Sequence, residues 1–122
     1  MVKVLVADDD KSYRSLIKEA LESAGYEVLL AFDGKEALEK LSENPDIAVL
    51  DVNMPGKNGF EVCREIRNDP GRRSMPVLIL TVLSEVSDQV KGYDMGADEY
   101  VPKPFSIEVF LARMKKLERL LG

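Results

Sequence analysis

Val4-Leu5-Val6-Ala7-Asp8-Asp9-Asp10 is an apolar run of four residues that ends in three carboxylates. A second run, Ile47-Ala48-Val49-Leu50, ends the same way, in Asp51. Short apolar runs rich in β-branched residues read as buried strands. A strand that delivers a carboxylate at its C-terminal end reads as part of a site, because open α/β sheets take their ligands there. Two such strands in one short chain predict that their ends meet and that the acids share a divalent cation.

Outward from these runs, strand-like and helix-like periods alternate. Residues 2–7 form the first strand. Tyr13, Leu16, Ile17, Ala20, Leu21 and Ala24 then recur at helical spacing, with Ser12 or Asp10 as cap and Gly25 as stop. Residues 26–31 form a second strand. Asp33, with Glu36 three residues on, starts a second helix on Ala37, Leu38 and Leu41, and Asn44-Pro45 stops it. Residues 47–50 are wholly apolar, as a strand covered on both faces should be. The turn-rich Asn53-Met54-Pro55-Gly56-Lys57-Asn58-Gly59 leads to a third helix on Phe60, Cys63, Ile66 and Arg67. After a polar loop at 69–74, a fourth strand runs through Val77-Leu78-Ile79-Leu80 to Thr81. A weak fourth helix is expected over 84–95, with Gly92 lowering its propensity. Glu99-Tyr100-Val101 is a short fifth strand, Pro102-Lys103-Pro104 a rigid turn, and Ser106 the cap of a last helix carried by Val109, Phe110, Ala112, Arg113, Leu117, Leu120 and Leu121. Strict alternation with right-handed crossovers gives a parallel sheet with helices on both faces.

Bulk properties narrow the function. A chain of 122 residues fits one domain. A net charge of −5 argues against general binding to nucleic acid or anionic membranes, which needs cationic surface. The start of the chain is neither a signal peptide nor an anchor, and no apolar stretch approaches the ~20 residues that span a bilayer. The single cysteine, Cys63, has no partner for an internal disulfide and suits a reducing compartment, so a cytoplasmic protein is expected. There is no histidine, so any metal here is hard and oxygen-bound.

Asp8, Asp9 and Asp51 would repel one another without a cation. Mg²⁺ fits: it takes octahedral oxygen ligands and keeps waters that a phosphate oxygen can replace. Thr81 ends the fourth strand and Lys103 follows the fifth, so a hydroxyl and an ammonium reach the same rim. A lysine and a metal together neutralise a transferring phosphoryl group, and a carboxylate can be the nucleophile. Asp51, alone at the end of the most buried strand, is the better nucleophile candidate. Asp8 and Asp9 look like metal holders.

These pieces, VLVADDD at 4–10, LDVNMPGKNG at 50–59, a strand ending in Thr81, and YVPKPF at 100–105, closely resemble the receiver domain of bacterial two-component response regulators. The resemblance covers residues 2–120. It implies a flavodoxin-like doubly wound (βα)5 fold with strand order 2-1-3-4-5, and a single receiver domain over residues 1–122. It makes Asp51 the phosphoacceptor, with Mg²⁺ (or Mn²⁺ as substitute) on Asp9 and Asp51, on Asp8 mostly through water, and on the backbone carbonyl of Asn53. Thr81 would bond the phosphoryl oxygen and shift toward it, Lys103 would pair with the acids and then with the phosphoryl group, and Tyr100 would be the switch aromatic that turns inward. Pro55, Gly56 and Gly59 would shape the loop, Asp10 would be peripheral, and the Lys103–Pro104 bond is a candidate cis peptide.

The implied reaction is transfer from the phosphohistidine of a sensor kinase or a histidine phosphotransfer protein, followed by hydrolysis that the domain itself catalyses. The signal would be a changed surface on the fourth helix, fifth strand and fifth helix, read by an effector protein, a fused output domain or a phosphorylation-dependent homodimer. No direct contact with nucleic acid or membrane is expected. Glu99 and Arg113 could supply a dimer charge pair, although Met95 and Val109 stand where further charges are expected. The chain departs from the family at Val82, where most receivers carry a smaller residue, and a branched side chain there would narrow access to Asp51. Asn53 and Glu85 lie near positions that tune phosphoryl lifetime. The alternative is a pseudo-receiver, a protein-binding module without phosphorylation. An aspartyl-phosphate phosphatase of the haloacid dehalogenase class would carry its nucleophile after the first strand, and a flavodoxin-like carrier would need a Ser/Thr/Gly-rich phosphate loop there.

Overall fold

The computed structural model describes residues 1–82, 90, 94 and 96–121. Five parallel strands form one sheet in the order β2-β1-β3-β4-β5: β1 (Lys3–Ala7), β2 (Glu27–Ala31), β3 (Ile47–Asp51), β4 (Val77–Thr81) and β5 (Glu99–Pro102). The helices among the described residues are α1 (Lys11–Ser23), α2 (Gly34–Lys40), α3 (Gly59–Asn68) and a C-terminal α4 (Ile107–Glu118). Short 3₁₀ turns extend α2 and α4. The expected helix over 84–95, including Glu85, Gly92 and Met95, lies outside the described residues save Val90 and Asp94.

The sheet is covered on both faces because successive side chains point to opposite sides of a strand. Leu5, Ala48, Leu50 and Ile79 pack in one core with residues of α2 and α3, among them Ala37, Phe60, Val62, Cys63 and Ile66. Val4, Val6, Val49, Leu78 and Leu80 pack in the other with Ile17 and Leu21 of α1 and Phe110, Met114 and Leu117 of α4. All ten residues of β3 and β4 are buried, which places the strand that carries Asp51 in the middle of the molecule.

Caps fix the helix starts. Asp10 Oδ1 accepts from the backbone N–H groups of Ser12 and Tyr13, so Asp10 and not Ser12 begins α1. Asp33 accepts from Glu36 N–H, while the Glu36 carboxylate reaches one residue further back, to Phe32 N–H. Asn58 and Glu61 make a reciprocal capping box at α3 that the sequence reading did not include. Ser106 caps α4 as expected.

On α4 the inward face differs from the expected one. Phe110, Met114 and Leu117 are buried, whereas Val109, Ala112, Leu120 and Leu121 are exposed. Residues four and three apart share a helix face, and the spacing from Phe110 through Met114 to Leu117 leaves Val109 and Ala112 off it. On α1, Leu16 and Ala24 are likewise exposed, and Ile17 and Leu21 carry the contact.

Candidate functional site

Register brings the acids together. Ala7 of β1 lies opposite Leu50 of β3, so the next residues, Asp8 just past β1 and Asp51 at the last position of β3, stand side by side. Thr81 lies opposite Pro102, and Lys103 follows, its N–H donating to the Thr81 carbonyl at 2.6 Å. Four side chains from four strand ends therefore meet at one C-terminal edge. Asp8, Asp51, Thr81 and Lys103 are all buried there, and Asp9 is exposed at the rim.

The geometry is tight. Lys103 Nζ donates to Asp8 Oδ2 at 2.9 Å and stands 3.5 Å from Asp51 Oδ1. One carboxylate oxygen from each of Asp8, Asp9 and Asp51 lies within 4.8 Å of the others. Removal from water is the main reason the Asp51 carboxyl is pushed up to about 6; the Asp8 charge adds to this, Lys103 opposes it, and Asp9 adds again. One ammonium thus only partly balances three carboxylates. An all-oxygen donor set with excess negative charge suits a small hard dication, so these residues fit Mg²⁺.

The loops over the edge are held closely. A Cβ on Gly59, the first residue of α3, would overlap the carbonyl oxygen of Asp51, and one on Gly34, the first of α2, would overlap the carbonyl of Lys57. Gly56 has φ +75°, a conformation that favours glycine, which agrees with its expected turn role. Asn53 is exposed beside this loop, and the Val82 side chain is exposed just past Thr81. Tyr100 is buried, within the core that contains Ile79 and Phe60. The Lys103–Pro104 peptide is cis, the form the sequence left open.

Two residues at the site were not singled out for it from sequence. Arg14 donates from Nη1 to the Asp8 carbonyl at 2.8 Å and lies over the Phe32 ring, 4.2 Å from its centroid. Tyr13 presents its ring to Lys103 Nζ at 4.1 Å. Both lie on α1 directly after the acids, but helical spacing alone assigned Tyr13 to the core and gave Arg14 no part. Cys63 is buried in the core, as expected, and burial pushes its thiol up to about 11.

Comparison with known proteins adds to this geometry. The family described as "response regulator receiver domain" matches residues 4–115. The response regulator MprA of Mycobacterium tuberculosis is 48% identical over 119 residues, which are 97% of this chain and 51% of that protein. The corresponding MprA of Mycobacterium ulcerans is 49% identical over 119 residues, again 97% of this chain and 50% of the other. The chain therefore spans about half the length of the curated relatives it matches. Among solved structures, the Francisella response regulator 1452 receiver domain superimposes with a TM-score of 0.92 at 36% identity, covering 100% of both chains. The Vibrio cholerae chemotaxis protein CheY4 superimposes with a TM-score of 0.90 at 36% identity, covering 96% of this chain and 98% of that one.

Proposed function

The chain belongs to the response regulator receiver domain family, and on that premise we propose that Asp51 takes the phosphoryl group and that Asp8, Asp9, Thr81 and Lys103 make the transfer possible. The protein is a phosphoacceptor switch that catalyses its own aspartyl phosphorylation and dephosphorylation, and Asp8, Asp9 and Asp51 form its Mg²⁺ site. The observation that carries the residue assignment is the buried contact of one ammonium with two carboxylates, at 2.9 Å to Asp8 and 3.5 Å to Asp51.

In this reading a carboxylate oxygen of Asp51 attacks the phosphorus of the donor. The bond from phosphorus to the donor's leaving group breaks as the bond to Asp51 forms, giving an acyl phosphate. Mg²⁺ held at the site would supply positive charge to neutralise the transferring oxygens. Asp9, at the exposed rim, would ligate it directly, as would Asp51. Asp8, already hydrogen-bonded on both carboxylate oxygens, acts mostly through water, and the Asn53 carbonyl supplies a further ligand. Lys103 passes from the carboxylates to the phosphoryl group. Thr81 bonds a phosphoryl oxygen and moves toward it, and Tyr100 responds. Water later attacks phosphorus and releases phosphate from Asp51. Val82, at the rim, limits access to that carboxylate.

Residues 1–122 act as one receiver domain. Its donor is a sensor histidine kinase or a histidine phosphotransfer protein, and its output is read by an effector, a fused domain or a second copy of the chain. Glu99 is not free for the dimer pair suggested by sequence: it accepts from Arg113 at 2.9 Å and pairs with Lys116 at 3.2 Å within the chain. A homodimer through this face would have to exchange those pairs. No helix among the described residues is long and apolar enough to cross a membrane.

The test is labelling with a small acyl phosphate donor. With Mg²⁺ the protein takes up phosphate in a form that hydroxylamine strips, as acyl phosphates require, and EDTA prevents the uptake. No uptake with Mg²⁺ present would favour the protein-binding module that works without phosphorylation.

A further inference from the structure

We infer that Tyr13 is a positioning residue for the Lys103 ammonium, holding it in the site by its ring face while the carboxylates change partners. The inference rests on the role of Lys103 proposed above. The Lys103 side chain is 4% exposed, so its charge depends on what the protein offers. Among the described residues, three groups stand close to it: Asp8 at 2.9 Å, Asp51 at 3.5 Å, and the Tyr13 ring, whose centroid is 4.1 Å away. That distance lies within the range over which an aromatic face attracts a cation, and the attraction is stronger where water is excluded.

The ring is itself held from both ends of the fold. Its backbone N–H is capped by Asp10 at 3.2 Å, which fixes Tyr13 in the first turn of α1. On its other side it packs against Phe105 at 5.8 Å between centroids, and Phe105 stacks on Phe110 of α4 at 5.4 Å. Phe105 lies two residues past Lys103, so the same aromatic group grips the lysine's own loop.

The consequence follows from the chemistry at the carboxylates. Bound Mg²⁺ and then a phosphoryl group on Asp51 would take up charge at Asp8 and Asp51, and their hold on the ammonium would weaken. The ring face is not a ligand for a hard cation and keeps its attraction throughout. Lys103 therefore stays aimed inward between one anionic partner and the next. Without the ring its long stem regains rotamer freedom and the ammonium is less often in place.

The test compares Tyr13→Leu with Tyr13→Phe on two readouts. In the parent, a ring face so close to Nζ shifts the Lys103 side-chain proton resonances upfield, and Tyr13→Phe retains the shift whereas Tyr13→Leu abolishes it. At saturating Mg²⁺, Tyr13→Leu slows phosphorylation by an acyl phosphate donor roughly three- to thirtyfold, the span from an exposed to a desolvated cation–π contact, and Tyr13→Phe restores most of the rate. Packing alone would lower the melting temperature of the leucine variant without touching its rate, and that result overturns the inference. So does an unshifted Lys103 resonance in the parent, a measurement that needs no variant. If Tyr13→Leu does not fold, Tyr13→Met replaces it. Failure of the underlying reading looks different: the parent itself then takes no phosphoryl group.

Discussion

Asp8 has every polar atom engaged. Its N–H donates to the Ala31 carbonyl at 3.2 Å, and its carbonyl accepts from Arg14 at 2.8 Å. Its two carboxylate oxygens accept from the Asp10 N–H and from Lys103, each at 2.9 Å. It is a strut between β1, β2, α1 and the turn after β5 as much as a metal holder. Asp51 is the opposite case, a buried carboxylate held up to about 6 against an ordinary 3.8 by burial and like charges. Because the folded carboxyl binds its proton more tightly than the unfolded one, ionising it weakens the fold. Its contribution is intact below about pH 4 and is lost as pH rises through about 6. Metal-free Asp51→Asn is therefore more stable than the parent at pH 8, by on the order of 2 kcal/mol in urea denaturation. The gap closes near pH 3.5 and narrows when Mg²⁺ is added to the parent at pH 8. At the rim, Val82→Ala opens access and raises the rates of phosphorylation by small donors and of decay. Unchanged rates in both directions would remove Val82 from that role. The acids, Thr81 and Lys103 were legible because each ends or follows a strand. Arg14 and Tyr13 were not, since their contacts depend on the reach and direction of side chains that no spacing rule encodes.

Between elements, the contacts that matter are close backbone approaches and one arginine. Gly34 at the start of α2 lies against the Lys57 carbonyl, so the α2 helix and the loop after Asp51 share a surface with no room for a side chain. Gly34→Ala forces them apart, lowering stability by about 1–3 kcal/mol and weakening Mg²⁺ binding, both measurable by thermal unfolding with and without the metal. Arg67 of α3 donates to the carbonyls of Gly96 and Met75 and pairs with Asp98, which also accepts from the Val77 N–H. These bonds tie α3 to the starts of β4 and β5, at the end of the sheet remote from the acids. Arg67→Met loses them and destabilises by about 2–3 kcal/mol in the same assay while leaving the metal site in place. The sequence placed every described strand to within a residue or so, because buried strands are short unbroken apolar runs. The α4 face was misjudged because apolar residues occur on several sides of that helix, and only contact with Leu78, Leu80 and Val101 selects among them. The role of Arg67 was hidden for a related reason: at helical spacing it looked like part of the apolar face, whereas its stem lies against Gly96 and its guanidinium serves distant carbonyls.

At the scale of the molecule, two cores grip one sheet and leave its C-terminal edge for chemistry. The single thiol takes no part in that chemistry. Cys63 is fully buried and its thiol is held up to about 11, so it stays protonated at neutral pH. Iodoacetamide leaves it unmodified in the native protein at pH 7 and alkylates it after unfolding in urea. Glu99, buried at the start of β5 and paired with Arg113 and Lys116 of α4, locks the last strand to the last helix. Fold class and strand order were legible because alternation, burial and four motifs all agreed, while the internal pairing of Glu99 was not, since one charge pair satisfies two partners equally well on paper. The central claim, that the buried carboxylate at the end of β3 is the phosphoacceptor, is tested most directly by intact mass. Parent and Asp51→Asn are incubated with acetyl phosphate and Mg²⁺ and weighed. The account predicts a gain of one phosphoryl group in the parent and none in the variant; equal gain in both, or none in the parent, would contradict it.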